Sequence, residues 1–154
     1  MINIIGDGGH AKVVKDIIAL RMLEDIQGEY FFVAVGNNAD RKMEAERQIA
    51  KPFCYLAHPS AEIAQDVEIQ DGTVVMAGVV IQPGCNIGKH VILNTNCTVD
   101  HDCIIGDYAH IAPGAVLCGN VQVGEGALVG AGAVCVPGAI IPPWSLVKAG
   151  TVAK

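Results

Sequence analysis

From Ile63 to Val152 the chain repeats in sixes. Counted from Ile63, the first place of each six holds Ile63, Ile69, Val75, Ile81, Ile87, Leu93, Val99, Ile105, Ile111, Leu117, Val123, Val129, Cys135, Ile141 and Val147. All are branched aliphatics except one cysteine. The fifth place is small or β-branched, from Val67, Thr73 and Val79 through Ala109, Ala115 and Ala127 to Ser145 and Thr151. A period of six fits neither a helix nor an alternating strand, and it marks a hexapeptide solenoid. Three sixes make one triangular coil of parallel strands. The aliphatic place points into the prism and the small place packs near a corner. Residues eighteen apart then stack at about 4.8 Å, so fifteen sixes predict five coils and a prism roughly 24 Å tall. A prism this short leaves strand edges open at both ends. Its flat, weakly charged walls favour side-by-side packing into a closed oligomer.

Composition agrees with such an interior, because half the residues are hydrophobic while aromatics are only 5%. The net charge of −6, with no basic run, argues against nucleic acid and anionic membranes as partners. The six cysteines, Cys54, Cys85, Cys97, Cys103, Cys118 and Cys135, lack metal-ligand spacing, and three of them take the small inward place. They read as buried packing thiols of a reducing cytoplasm. Met1 leads straight into an apolar strand, with no basic leader and no long apolar span, so a cytoplasmic protein is expected.

Residues 1–52 have a different pattern, and the β-helix is expected over 53–154. Ile2 to Ile5 reads as a buried strand, followed by the loop Gly6-Asp7-Gly8-Gly9-His10. Ala11 to Met22 has helical spacing, with Val13, Val14, Ile17, Ile18 and Leu20 on one broad face. Phe31 to Val35 is a second buried strand ending at Gly36-Asn37-Asn38, and Asp40 to Ala50 is a charged helix. This order is half of a Rossmann-like α/β unit. The loop places free N–H groups and a positive helix end where a phosphate could sit, although a tight strand-to-helix turn would read the same way. The pattern is not G-x-G-x-x-G and the unit is too short for a whole dinucleotide, which argues against NAD.

Few reactive groups decorate the prism. The densest polar stretch runs from Leu93 to Asp102 and includes Asn94, Asn96, Asp100, His101 and Asp102. An imidazole flanked by two carboxylates has raised basicity and an oriented ring, as a general base requires. Gly119 lies one coil above His101 and could offer an N–H to a developing oxyanion. The alternative is a solvated polar corner, as expected for Gln65-Asp66 and for Gly88-Lys89-His90. His110 lies half a circuit from His101, so only a neighbouring subunit could bring the two together. His58 reads as a capping residue at the start of the coil. The histidine spacings give no obvious metal set.

The loop Gly6-Asp7-Gly8-Gly9-His10-Ala11-Lys12-Val13, the strand end Phe32-Val33-Ala34-Val35-Gly36-Asn37, and the run from Asn94-Thr95 to Asp100-His101-Asp102 occur in this order. In them the chain resembles the sugar acetyltransferases of the sialic acid O-acetyltransferase type. That group includes N-acetyltransferases acting on UDP-4-amino sugars and GDP-perosamine. The resemblance implies a left-handed parallel β-helix, a homotrimer and acetyl-CoA as donor; the histidine spacings lead to an expectation of no metal. It implies that His101 is the catalytic base and that Asp102 tunes it. His110, Gly119, Ala131, Ala149 and Gly150 fall where the family contacts acetyl-CoA. Gly8, Gly9, His10, Gly36, Asn37 and Asn94 fall on the side of the acceptor, a sugar or nucleotide-sugar. Relatives carry a further strand ending in an acidic pair before the strand at Phe31, and here Ala19 to Tyr30 is too short for it. The expected activity is acetylation of the amino group of a sugar or nucleotide-linked amino sugar. The alternatives are sugar O-acetylation or a non-catalytic trimeric scaffold.

Overall fold

The structure is a computed structural model describing residues 1–20 and 28–154. β1 (Ile2–Ile5) and β2 (Tyr30–Val33) form a parallel pair with Ile2 opposite Tyr30 and Ile5 opposite Val33. Between them α1 (Gly9–Leu20) starts two residues earlier than the apolar spacing suggests, because the glycine loop runs directly into its first turn. Ala11, Val14 and Ile17 are buried, whereas Val13 and Leu20 are largely exposed. The buried stripe is thus narrower than the broad face read from the sequence, as a steady rotation of about 100° per residue requires. The expected continuation to Met22 falls on residues 21–27, outside the described residues. So does much of the segment said to lack the acid-ended strand.

β2 stops at Val33, and the chain turns through Val35 and Gly36 into α2 (Asn38–Arg47). The Asn37 side chain caps this helix by accepting the Asp40 N–H at 3.0 Å. Two helices and two strands are therefore present ahead of the coil among the described residues.

From there every described strand is two residues long. β3 (Leu56–Ala57) opens the first wall, β4 (Glu62–Ile63) the second and β5 (Glu68–Ile69) the third. The walls hold six, six and five parallel strands, each paired with the strand one coil away, up to β19 (Val152–Ala153). The coil begins seven residues before Ile63, because Ala57 already occupies an inward place opposite Val75. Inward aliphatics such as Leu93, Val99 and Leu117 are fully buried, as are the small residues Cys97, Ala109, Val121 and Ala133. Thr73, the polar member of that small column, is satisfied there: it donates to Gly88 O at 2.7 Å and accepts the Val91 N–H at 3.0 Å.

The α/β unit rests on the first wall. α1 packs on β3, and Ile92, on the outer face of that wall, is fully buried. The linker adds to the contact, since Phe31 N–H donates to Pro52 O and Phe31 bridges to Phe53. His90 is therefore not the solvated corner expected from its neighbours. It is only 5% exposed, stacked on Tyr108 at 5.3 Å and met edge-on by Phe53 at 4.8 Å. The packing of the linker over that corner is a tertiary effect that local polarity does not register. No described helix is long and apolar enough to cross a membrane.

Candidate active site

The turn between β10 (Thr98–Val99) and β11 (Ile104–Ile105) carries the Asp100-His101-Asp102 run. Asp100 Oδ1 accepts the His101 N–H at 2.8 Å and holds the start of the turn. Asp102 takes a left-handed φ of 59°, and the coil below presents Gly84, where any Cβ would strike the Asp102 carboxylate. His101 Nδ1 lies 2.7 Å from Asp102 Oδ2. An N–H donated there fixes the tautomer and leaves Nε2 with a free lone pair. The hydrogen bond to Asp102 is the main cause of a His101 pKa raised above its ordinary value, with Asp100 adding its charge. Both side chains are more than half exposed, so this is an accessible base.

Gly119 stands over the imidazole. A Cβ at that position would lie 2.5 Å from His101 Nε2, so the ring occupies the space that a side chain would fill. The flanking N–H groups of Cys118 and Asn120 donate to Cys135 O and His101 O, whereas among the described residues nothing accepts the Gly119 N–H. A basic nitrogen and a free backbone donor thus share one open corner.

The other predicted residues fall into three further places. Ala131 and the Ala149-Gly150 pair stack on the corner at the opposite edge of the second wall, where Gly150 N–H donates to Ala131 O at 2.9 Å. His110, in β12 (His110–Ile111), lies on the first wall, and its Nε2 is 3.0 Å from Asn94 Nδ2. Asn94 Oδ1 accepts the Thr95 N–H, so both ends of this amide are engaged within the protein. Burial, then the nearby Arg41 and His10, push the His110 pKa down to about 4. His101 and His110 occupy different places in one chain, as their half-circuit separation requires.

The glycine loop and the end of β2 enclose a third place. Residues 6–10 and 34–36 line an open cavity of about 340 Å³, bringing together Gly8, Gly9, His10 and Gly36, with Asn37 at its edge as the cap of α2. His10 Nε2 is buried without a hydrogen-bond partner, and burial plus Arg41 lowers its pKa to about 4. A larger cavity of about 530 Å³ lies at the far end of α2, against Phe53, His90 and Tyr108, and contains none of the predicted residues. Its rim carries Lys51 and Lys89 with Glu46 and Asp71.

Arg41 is the residue that sequence reasoning missed. It is 1% exposed, among the most buried side chains of the chain. A signal was available: Arg41 and Ala45 are four apart on a helix otherwise rich in exposed charge, the spacing of a single buried stripe. His58, read as a cap, accepts the Ser60 N–H through Nδ1 at 3.0 Å. Among the described residues no group of three or more His, Cys, Asp or Glu is arranged to hold a metal.

The bacterial transferase hexapeptide family (six repeats) matches residues 84–119 and again 102–137. The acetyltransferase domain of PglB from Neisseria gonorrhoeae superposes with a TM-score of 0.94 and 32% identity over 99% of this chain and 90% of that one. The chain belongs to the hexapeptide-repeat acetyltransferase family. PerB from Caulobacter crescentus, solved with CoA and GDP-perosamine, superposes with a TM-score of 0.89 at 36% identity, over 99% of this chain and 88% of that one. GDP-perosamine N-acetyltransferase of Escherichia coli O157:H7 is 32% identical over 109 residues, 65% of this chain and 49% of that protein. The chain spans about half the length of the curated relatives it matches.

Proposed function

We propose that the chain is an acetyl-CoA-dependent N-acetyltransferase acting on the amino group of a nucleotide-linked amino sugar. The observation that carries the proposal is His101 Nε2 set against Gly119, whose N–H has no acceptor among the described residues. His101 and Asp102 form the base, and Gly119, Ala131, Ala149, Gly150 and His110 hold acetyl-CoA. Gly8, Gly9, His10, Gly36, Asn37 and Asn94 face the acceptor, with Asn94 acting through its bond to His110. Residues 1–52 serve as the Rossmann-like acceptor unit and 53–154 as the left-handed transfer unit. The working form is a cytoplasmic homotrimer. The family membership and the acetyl coenzyme A complex of the PglB domain support the donor; the GDP-perosamine complex of PerB supports the acceptor class.

The acceptor nitrogen attacks the thioester carbonyl carbon. A C–N bond forms, and the carbonyl oxygen gathers charge toward the Gly119 N–H. His101 Nε2 takes the proton released by the nitrogen, and Asp102 steadies the resulting imidazolium. The C–S bond then breaks, the proton passes to sulfur, and coenzyme A leaves as the thiol. A thiol nucleophile is disfavoured, because burial pushes Cys97 and Cys103 up to about 12.

The test is release of coenzyme A thiol from acetyl-CoA with a panel of UDP- and GDP-linked 4-amino sugars, free amino sugars and hydroxyl-only sugars. Turnover with an amino sugar nucleotide, abolished in His101→Ala, is expected. A folded protein that releases no thiol with any amino sugar above the His101→Ala background would falsify the reading.

A further inference from the structure

We propose that Arg41 is the specificity-determining residue of the glycine-loop cavity, making it select a phosphate-bearing acceptor through a buried positive charge that no carboxylate among the described residues pairs with. This rests on the acceptor side of the function proposed above and assigns its substrate class to one residue.

All five N–H donors of Arg41 are used inside the protein. Nε donates to His90 O at 2.8 Å. Nη1 donates to Val35 O at 3.0 Å and Gly36 O at 3.1 Å. Nη2 donates to Asn38 Oδ1 at 2.8 Å and Tyr108 O at 2.7 Å. Every acceptor is neutral. The hydrogen bonds satisfy the guanidinium's geometry and leave its charge without a counter-ion among the described residues, an arrangement that is costly unless an anion comes near.

The glycine-loop cavity adjoins this charge, as does the larger cavity beyond His90 and Tyr108, but only the former also offers the start of a helix. Val35 and Gly36, whose carbonyls Arg41 holds, line the glycine-loop cavity directly. The field of Arg41 reaches the opposite wall as well, since it contributes, after burial, to the lowered pKa of His10. Burial lowers the pKa of Arg41 itself only to about 10, so it remains a cation at neutral pH. The lining contains one carboxylate, Asp7, and that residue is exposed and screened by solvent. Glycines at 8 and 9 leave open space where a Cβ would be, so an anion can reach the backbone N–H groups that open α1. Arg41 cannot touch the ligand, because its donors are spent; it acts at a distance. A unit charge a few ångströms away in a partly buried site alters anion affinity by about tenfold.

The experiment measures the binding of UDP and GDP against uridine and guanosine by titration calorimetry, in wild type, Arg41→Lys and Arg41→Met, with a thermal melt of each. The wild type should prefer the diphosphates by about tenfold or more at low salt, and the preference should shrink as salt rises. Arg41→Lys, which keeps the charge and loses the fork, should retain most of that preference. Arg41→Met should lose it while binding the nucleosides as wild type does. The proposal fails if wild type binds uridine and UDP alike, if Arg41→Lys folds and loses the preference, or if Arg41→Met folds and keeps it. Should Arg41→Met not fold, the wild-type and Arg41→Lys measurements still decide. Acetyl transfer is assayed separately. A chain that prefers diphosphates but releases no coenzyme A sinks the enzymatic reading alone. A transferase indifferent to phosphate sinks this inference alone.

Discussion

At the scale of single residues the Asp102–His101–Gly119 corner makes the sharpest statements. His101→Ala should lower the rate by about 100-fold or more, the usual scale for losing a general base, and Asp102→Asn should cost less. The base works in its neutral form, so activity should fall as pH drops through the raised His101 pKa. Asp102→Asn removes the main raising contact, and its acid limb should therefore move to lower pH on the same acceptor. An unmoved limb in paired pH–rate profiles would mean that Asp102 does not tune the base. Gly119 offers an independent check. Its φ is not in the left-handed region, so alanine is tolerated by the backbone, but the new methyl would press on His101 Nε2. Gly119→Ala should keep the melting temperature within a few degrees and lower activity by displacing an exposed imidazole; full activity would remove Gly119 from the site. This corner was legible in the sequence because its acids are adjacent to the histidine and its glycine lies a fixed eighteen residues on. Arg41 was not, because its partners come from residues 35, 36, 38, 90 and 108, which only the folded chain assembles.

At the scale of elements the contact between the α/β unit and the first wall contains three histidines whose pKa values are pushed down to about 4. Burial is the first cause in each case and Arg41 the second. The unfolded chain takes up these protons near pH 6.5, whereas the folded chain resists until about pH 4. Stability from these groups is therefore complete above pH 6.5 and is lost as pH falls from 6.5 toward 4. The melting temperature should drop over that window. His90→Phe, which keeps a ring between Phe53 and Tyr108 and removes one titration, should flatten the slope, as scanning calorimetry at several pH values would reveal. A slope identical to wild type would show that His90 is protonated without cost. Element order and type were readable from periodicity. The ends of α1, β2 and α2 were less so, because loop glycines and the Asn37 cap, rather than apolar spacing, determine where each begins and stops.

At the scale of the whole molecule the hexad pattern gave the coil almost completely, since each strand depends only on its neighbours above and below. The seating of the α/β unit depends on contacts far apart in sequence and was not readable. A trimer of about 48 kDa by light scattering is expected from the chain mass and closed cyclic symmetry. If each site takes His101 from one subunit and His110 from the next, mixing inactive His101→Ala and His110→Ala under conditions of subunit exchange should restore activity at interfaces with both histidines intact. No recovery despite demonstrated exchange would mean that the site does not combine these two histidines across chains. The stacking of every strand on its counterpart eighteen residues away also limits how this protein can change in length. Gaining or losing eighteen residues adds or removes one storey and leaves every other side chain in its column. A number that is not a multiple of eighteen rotates the later aliphatics onto a different wall or turns them out to water. Duplicating residues 118–135 should thus yield a soluble, cooperatively melting chain, while a seventeen-residue duplication at the same point should not; equal behaviour of the two would deny the rule. Lineages of such chains would then lengthen in whole storeys, with other insertions confined to loops bulging from the corners.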